Sequence, residues 1–143
     1  MTVPTWMLLG FAAWTLLLLL STIGVYRWSR ILTRRVPIRD FRADQVEGED
    51  WYRRAMRAHA NCVENLPVFG AIVLAVYVSG VGGPIVDCAS ISVLAARVIQ
   101  SLVHVCLPQT NAVVAVRFSF FLVQIVGFVM LIVIVVRDSR LTS

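Results

Sequence analysis

The sequence predicts an all-α membrane protein, a single bundle of four transmembrane helices. Three observations carry that expectation. The 143 residues are 59% hydrophobic and 15% charged, with a mean hydropathy of +0.81, whereas a water-soluble domain holds roughly 45–50% apolar and about 25% charged residues. The apolar residues fall into four long runs, and about 20 residues of helix cross a hydrocarbon core. The runs are continuously apolar, not alternating, which excludes the strands of an outer-membrane barrel. A chain of this length holds one compact domain.

The first helix is expected over about residues 4–32, with no charge from Met1 to Tyr26. That uncharged stretch is too long for the core of a signal peptide and has no basic lead-in, so it reads as a membrane span. A loop over about 33–50 begins basic (Arg34, Arg35, Arg39, Arg42) and ends acidic (Asp44, Glu47, Glu49, Asp50). Negative charge there suits the positive end of a second helix, expected over about 51–79. Ser79-Gly80-Val81-Gly82-Gly83-Pro84 reads as a tight turn into a third helix, about 85–106. Leu107-Pro108-Gln109-Thr110-Asn111 turns the chain again, into a fourth helix over about 113–136.

The net charge is +5, all 13 basic residues are arginine, and nine of them lie between Arg27 and Arg57. In a chain rich in spans, such asymmetry reports topology before it reports nucleic acid, and no nucleic-acid partner is expected. Six arginines from Arg27 to Arg42 place the first loop in the cytoplasm and both termini on the far side, against the weaker pull of Arg137 and Arg140. Cys62, Cys88 and Cys106 share no CxxC spacing and read as small packing residues. His59 and His104 are too few and too separated for a metal site.

The polar residues inside the runs carry the chemistry. On a helix, Arg54, Arg57, Asn61 and Glu64 fall within an arc of about 80° that continues into the second span. An ionised side chain facing lipid costs at least about 2.5–3.5 kcal/mol, so this stripe is expected to face the bundle, another subunit or a wet pocket. Arg97, Gln100 and His104 share one face of the third helix, and Arg117 opens the fourth with Gln124 two turns deeper. Three helices thus bring arginines to one depth on the cytoplasmic side. Guanidinium forks with Asn61 and Glu64 suit a small polyanion bearing an amine or amide. Arginine also stabilises a thiolate. The plainer alternative is that these residues bridge helices or touch lipid headgroups, Arg53 and Arg54 above all. His59 lies off the polar arc.

The stretch Arg57-Ala58-His59-Ala60-Asn61-Cys62-Val63-Glu64-Asn65-Leu66-Pro67 resembles the signature of the MAPEG family, the membrane-associated proteins in eicosanoid and glutathione metabolism. That signature reads approximately RAHxNxxE before an apolar run. The resemblance extends over four helices, a long first loop and Ala96-Arg97. It implies a homotrimer of four-helix bundles, with glutathione held between adjacent subunits at the cytosolic side. It also implies that Arg57, Asn61 and Glu64 contact glutathione with Arg54 close by, and that Arg97 and His104 line the same site. Arg117 matches the arginine that activates the glutathione thiol, and Arg27 or Arg30 matches a contact from the neighbouring subunit. The chain departs from the family at Gln100, His104 and Phe121, where polar or tyrosine side chains are common, and at Ala60.

The function these readings imply is a membrane-bound glutathione S-transferase or peroxidase. It would join glutathione thiolate to a lipophilic electrophile, or reduce a lipid hydroperoxide, arriving from the bilayer. The rival reading is a non-catalytic lipid- or ligand-binding scaffold of the same family. A small exporter fits less well, because Glu64 stands at the membrane edge among arginines instead of midway along a helix. Compact loops and no targeting segment suit a bacterial inner membrane.

Overall fold

The computed structural model describes residues 1–35, 37–41 and 48–141, with side chains as far as residue 138. Arg42, Asp44 and Glu47 of the expected loop, and the side chain of Arg140, lie outside the described residues. Regular structure among the described residues is entirely helical: α1 (Val3–Leu18), a π-helical turn (Leu19–Gly24), α2 (Val25–Leu32), a short 3₁₀ turn (Ile38–Asp40), α3 (Asp50–Ser79), α4 (Pro84–Cys106) and α5 (Asn111–Leu141). Four stretches are long and apolar enough to cross a membrane: Val3–Leu32, Asp50–Ser79, Pro84–Cys106 and Asn111–Asp138. The first of these joins α1, the π-turn and α2.

Local chemistry explains the boundaries. The π-turn sits where the Ser21 and Thr22 hydroxyls donate back to the Leu17 and Leu18 carbonyls, offering the backbone alternative partners. At the end of α2 the Arg34 amide donates to the Ile31 carbonyl and the Arg35 amide to the Arg30 carbonyl, the paired bonds of a Schellman cap. The left-handed position of that cap is held by Arg34, at φ 53°, where glycine is usual, at a cost of about 1 kcal/mol. Gly80, at φ 70°, ends α3 in the same left-handed conformation without that cost. Pro84 opens α4, where its missing amide donor is no loss. The Thr110 hydroxyl accepts from the Val113 amide at the start of α5.

Burial follows the helical period. In α4 the buried stripe runs Val86, Ala89, Ser90, Val93, Ala96, Arg97, Gln100, Ser101 and His104, so Arg97 stands on the packing face itself. In α3 the stripe is Tyr52, Ala55, Ala58 and Cys62, then lapses until Phe69, Ile72, Val73 and Val76. The lapse opens the pocket described below. The helix α4 packs most extensively on α5, α1 lies against α3 and α4, and α3 also meets α5. Three rings tie the spans together, Phe11 to Phe69 at 5.7 Å and Phe69 to Phe128 at 5.9 Å between centroids. A second cluster at the arginine-rich end stacks Tyr26 on Tyr52 at 4.1 Å, and Arg27 Nε donates to Tyr52 Oη at 2.8 Å.

The α4–α5 contact depends on a missing side chain. A Cβ on Gly127 would stand 2.6 Å from a methyl of Val93, which is wholly buried. Small residues let membrane helices approach closely where dispersion, not the hydrophobic effect, drives packing. Gly127→Ala should therefore lower stability by about 1–3 kcal/mol, as overpacking does in other cores, and Gly127→Leu by more. Thermal unfolding in detergent checks this; an unchanged midpoint for Gly127→Leu would contradict the close approach.

Candidate functional site

Where the buried stripe of α3 lapses, a pocket of about 500 Å³ opens between α3, α4 and α5. Its wall combines Asn61, Glu64 and Asn65 from α3, Arg97 and Gln100 from α4, and Arg117, Phe118 and Phe121 from α5, with Val114 beside them. The volume lies in the usual range for small-molecule sites. The polar groups converge from three separate spans.

Arg97 is the most buried of them, at 1% exposure. Its guanidinium lies over the Phe11 ring, 5.6 Å from the centroid, and Cys62 and Glu64 act on it electrostatically. Among the described residues no carboxylate forms an ion pair with it. Its Nε and one terminal nitrogen are buried without a hydrogen-bond partner, and the same holds for Arg117 Nε. An isolated buried cation costs several kcal/mol unless an anion answers it. The pocket therefore presents unanswered donors to whatever enters it.

Arg117 is positioned through its backbone. Gln100 Nε2 donates to the Arg117 carbonyl at 3.0 Å, and Gln100 Oε1 accepts from Gln124 Nε2 at 2.9 Å. Gln124, which is wholly buried, also donates to the Phe120 carbonyl, while its Oε1 has no partner. This amide relay pins α5 to α4 beside the pocket. On α3, Asn65 Nδ2 donates to the Asn61 carbonyl at 2.7 Å, which leaves the Asn61 side chain free for the pocket. The Cys62 thiol and the Ser101 hydroxyl stand 3.5 Å apart behind it, and Ser101 donates to the Arg97 carbonyl.

Of the residues singled out from sequence, the structure brings Asn61, Glu64, Arg97 and Arg117 together on one wall. Arg57 is exposed and does not line this wall, though its charge acts on both Arg117 and His104. Neither Arg57 nor Glu64 forms a hydrogen bond or ion pair among the described residues. Arg54 and His104 do not line this pocket: Arg54 is tied to Asp50 Oδ2 at 3.1 Å and to the Val105 carbonyl at 3.4 Å, and His104 is 3% exposed, one turn beyond Gln100 on the packing stripe. Arg27 and Arg30, the expected contacts to a neighbouring subunit, are engaged within the chain by Tyr52 and Glu49.

The sequence reading missed Asn65, Val114 and Phe118 as pocket residues. Asn65 follows Asn61 by four residues and so shares its face. Val114, Arg117, Phe118 and Phe121 are spaced at i, i+3, i+4 and i+7, a pattern visible only once Arg117 is taken as a reference point.

Fold and site together define an integral, multi-pass helical membrane protein with a cationic pocket walled by its last three spans. The MAPEG family model matches residues 5–137, nearly the whole chain, and the protein belongs to that family. Comparison with curated proteins and with solved structures returns no significant match.

The relay makes a prediction of its own. Gln100→Leu should cost about 1–3 kcal/mol, because it strands the buried amide of Gln124. The Gln100→Leu/Gln124→Leu double variant should cost less than the two single changes added together. Chemical denaturation of the four proteins in detergent measures the coupling; strict additivity would show that the two amides do not act as a pair.

Proposed function

We propose that the protein is a membrane-bound glutathione transferase, with peroxidase chemistry open to the same site. The observation that carries this reading is the convergence of partnerless donors of Arg97 and Arg117 with Asn61 and Glu64 in one pocket of a MAPEG family member. Glutathione has two carboxylates, an ammonium and a thiol. Guanidinium forks match the carboxylates, and the unpaired Glu64 carboxylate matches the ammonium. Arg117, half-buried and held through its backbone carbonyl by Gln100, is the group proposed to stabilise the thiolate.

In the proposed reaction the thiolate sulfur attacks an electrophilic carbon, and the leaving group departs with the bonding electron pair. With a hydroperoxide the sulfur attacks the distal oxygen. The alcohol leaves after protonation, and a second glutathione converts the sulfenic acid to disulfide and water. Phe118, Phe121 and Val114 give one flank of the pocket an apolar surface on which a lipophilic partner from the bilayer can lie. Positioning the two reactants supplies much of the acceleration.

Assembly belongs to the same proposal. Arg57 and Glu64 are exposed on the flank of a single chain, at a depth where lipid would be costly for them. A neighbouring copy is the natural cover, in keeping with a homotrimer that shares its sites between subunits. The arginine asymmetry around the first loop sets that site toward the cytoplasm, and a bacterial inner membrane suits the whole.

Purified protein in detergent should conjugate glutathione to a chlorinated nitrobenzene well above the uncatalysed rate. Arg117→Ala should lower that rate about 10²-fold, as loss of a charge-stabilising donor does elsewhere. Its remaining rate should rise toward higher pH, because a thiol without the cation ionises later. A wild-type rate equal to background, unchanged by Arg117→Ala, would remove the enzymatic reading.

Binding is separable from turnover. Glutathione should raise the thermal midpoint progressively as its concentration passes Kd, and Asn61→Ala/Glu64→Ala should abolish the shift. A scaffold without a glutathione site would show no shift in either protein.

A further inference from the structure

A second basic pocket at the arginine-rich end shares no lining residue with the Arg97–Arg117 wall. It encloses about 350 Å³ between the end of α2 and the start of α3. It is lined by Val25, Ser29, Arg30, Thr33 and Arg35 from α2 and its cap, and by Glu49 and Trp51 at the start of α3. We infer that this pocket binds the phosphate headgroup of an anionic phospholipid, whose acyl chains run down the exposed flank of the first span.

Four observations support it. The chain spends an unfavourable conformation to build the pocket: the Schellman cap, with Arg34 at φ 53°, folds Arg35 back over the last turn of α2, beside Arg30. Arg34 does not line the pocket itself, but the left-handed turn it makes at a conformational cost brings Arg35 into it. The donors are available. Arg30 uses one terminal nitrogen on Glu49 Oε1 at 2.8 Å, which leaves its Nε and the other terminal nitrogen, while the exposed Arg35 side chain has no partner among the described residues. The Glu49 carboxylate is itself answered twice, by Arg30 and by Trp51 Nε1 at 2.7 Å, so the pocket keeps a net positive charge. Finally, the ligand must be amphiphilic. Earlier on the same span, Val25, Leu20, Leu17 and Leu16 are all more than half exposed, apolar surface for hydrocarbon chains.

Phosphate is the shared chemistry of a lipid headgroup and a free anion, but only the lipid uses both the arginines and the apolar surface. Basic clusters beside a span select anionic over zwitterionic lipid by about five-fold for each arginine engaged. The inference is independent of the glutathione reading, and either can fail without the other.

The test titrates detergent-purified protein with phosphatidylglycerol or, at equal concentration, phosphatidylcholine, and counts retained lipid by native mass spectrometry. Phosphatidylglycerol should be retained about 25-fold better, roughly five-fold for each of the two arginines. Arg35→Gln should lose about five-fold of that preference, and Arg30→Gln/Arg35→Gln should lose it entirely, whereas Arg137→Gln at the opposite end should keep it. Because the Arg35 side chain has no partner among the described residues, the single variant carries the test if the double variant does not fold. Equal retention of the two lipids would overturn the inference, as would a preference that survives both substitutions. Displacement of phosphatidylglycerol by millimolar inorganic phosphate would make it a free-anion site. A change in oligomer mass, instead of lipid retention, on Arg35→Gln would make it a subunit contact.

Discussion

A guanidinium with no carboxylate to answer it, buried in the middle of a helical bundle, is the constraint around which this protein is arranged. Arg97 sits on the packing stripe of α4, where the positions before and after it are alanine and valine. Its neighbours moderate the charge without neutralising it: the Phe11 ring beneath, the Cys62 thiol beside and the more distant Glu64 carboxylate. A sequence selected only for stability would place a Leu or Met there, since replacing a buried charge with an apolar side chain is often neutral or stabilising. That the chain holds an arginine instead is the ground for proposing a ligand as the missing anion.

The surrounding packing can be understood as what keeps that charge in place. Gly127 lets α5 close on α4, the Gln100–Gln124 relay fixes the register of the two helices, and the Phe11–Phe69–Phe128 rings lock the first, second and fourth spans together. None of these groups reaches into the pocket as a charge. They hold its wall in place, so that the Arg117 fork and the Asn61 amide are already oriented for the proposed ligand, which is how a site of few polar groups gains affinity. At the arginine-rich end the Tyr26–Tyr52 stack and the Arg27 bond to Tyr52 anchor α2 to α3 in the same manner.

Much of this was legible in the sequence, and the reason differs by element. The spans were readable because their length and continuity are dictated by bilayer thickness, a constraint no tertiary contact can override. Asn61, Glu64, Arg97 and Arg117 were readable because polar groups in such a setting have few tolerable orientations. Arg54 and His104 share helix faces with pocket residues yet lie outside the pocket, because a helical wheel reports azimuth, not reach. Asp50 and the Val105 carbonyl intercept the Arg54 side chain, and one further turn along α4 carries His104 past the cavity. Phe118 and Val114 were invisible because α5 is apolar on every side, so its pattern offers no contrast between a wall of the pocket and a surface facing lipid. The second basic pocket was hidden in a different way. Its arginines read as a topology signal, and only the left-handed turn at Arg34 reveals that two of them are gathered into one place.

The most direct measurement is the thermal midpoint of Arg97→Met, taken with and without glutathione. If Arg97 is retained for an anionic ligand and not for folding, the ligand-free variant will melt at or above the wild-type temperature, and glutathione will no longer raise it. A variant that melts well below wild type yet still gains full stabilisation from glutathione would mean that the buried guanidinium holds the bundle together and leaves the ligand to other groups.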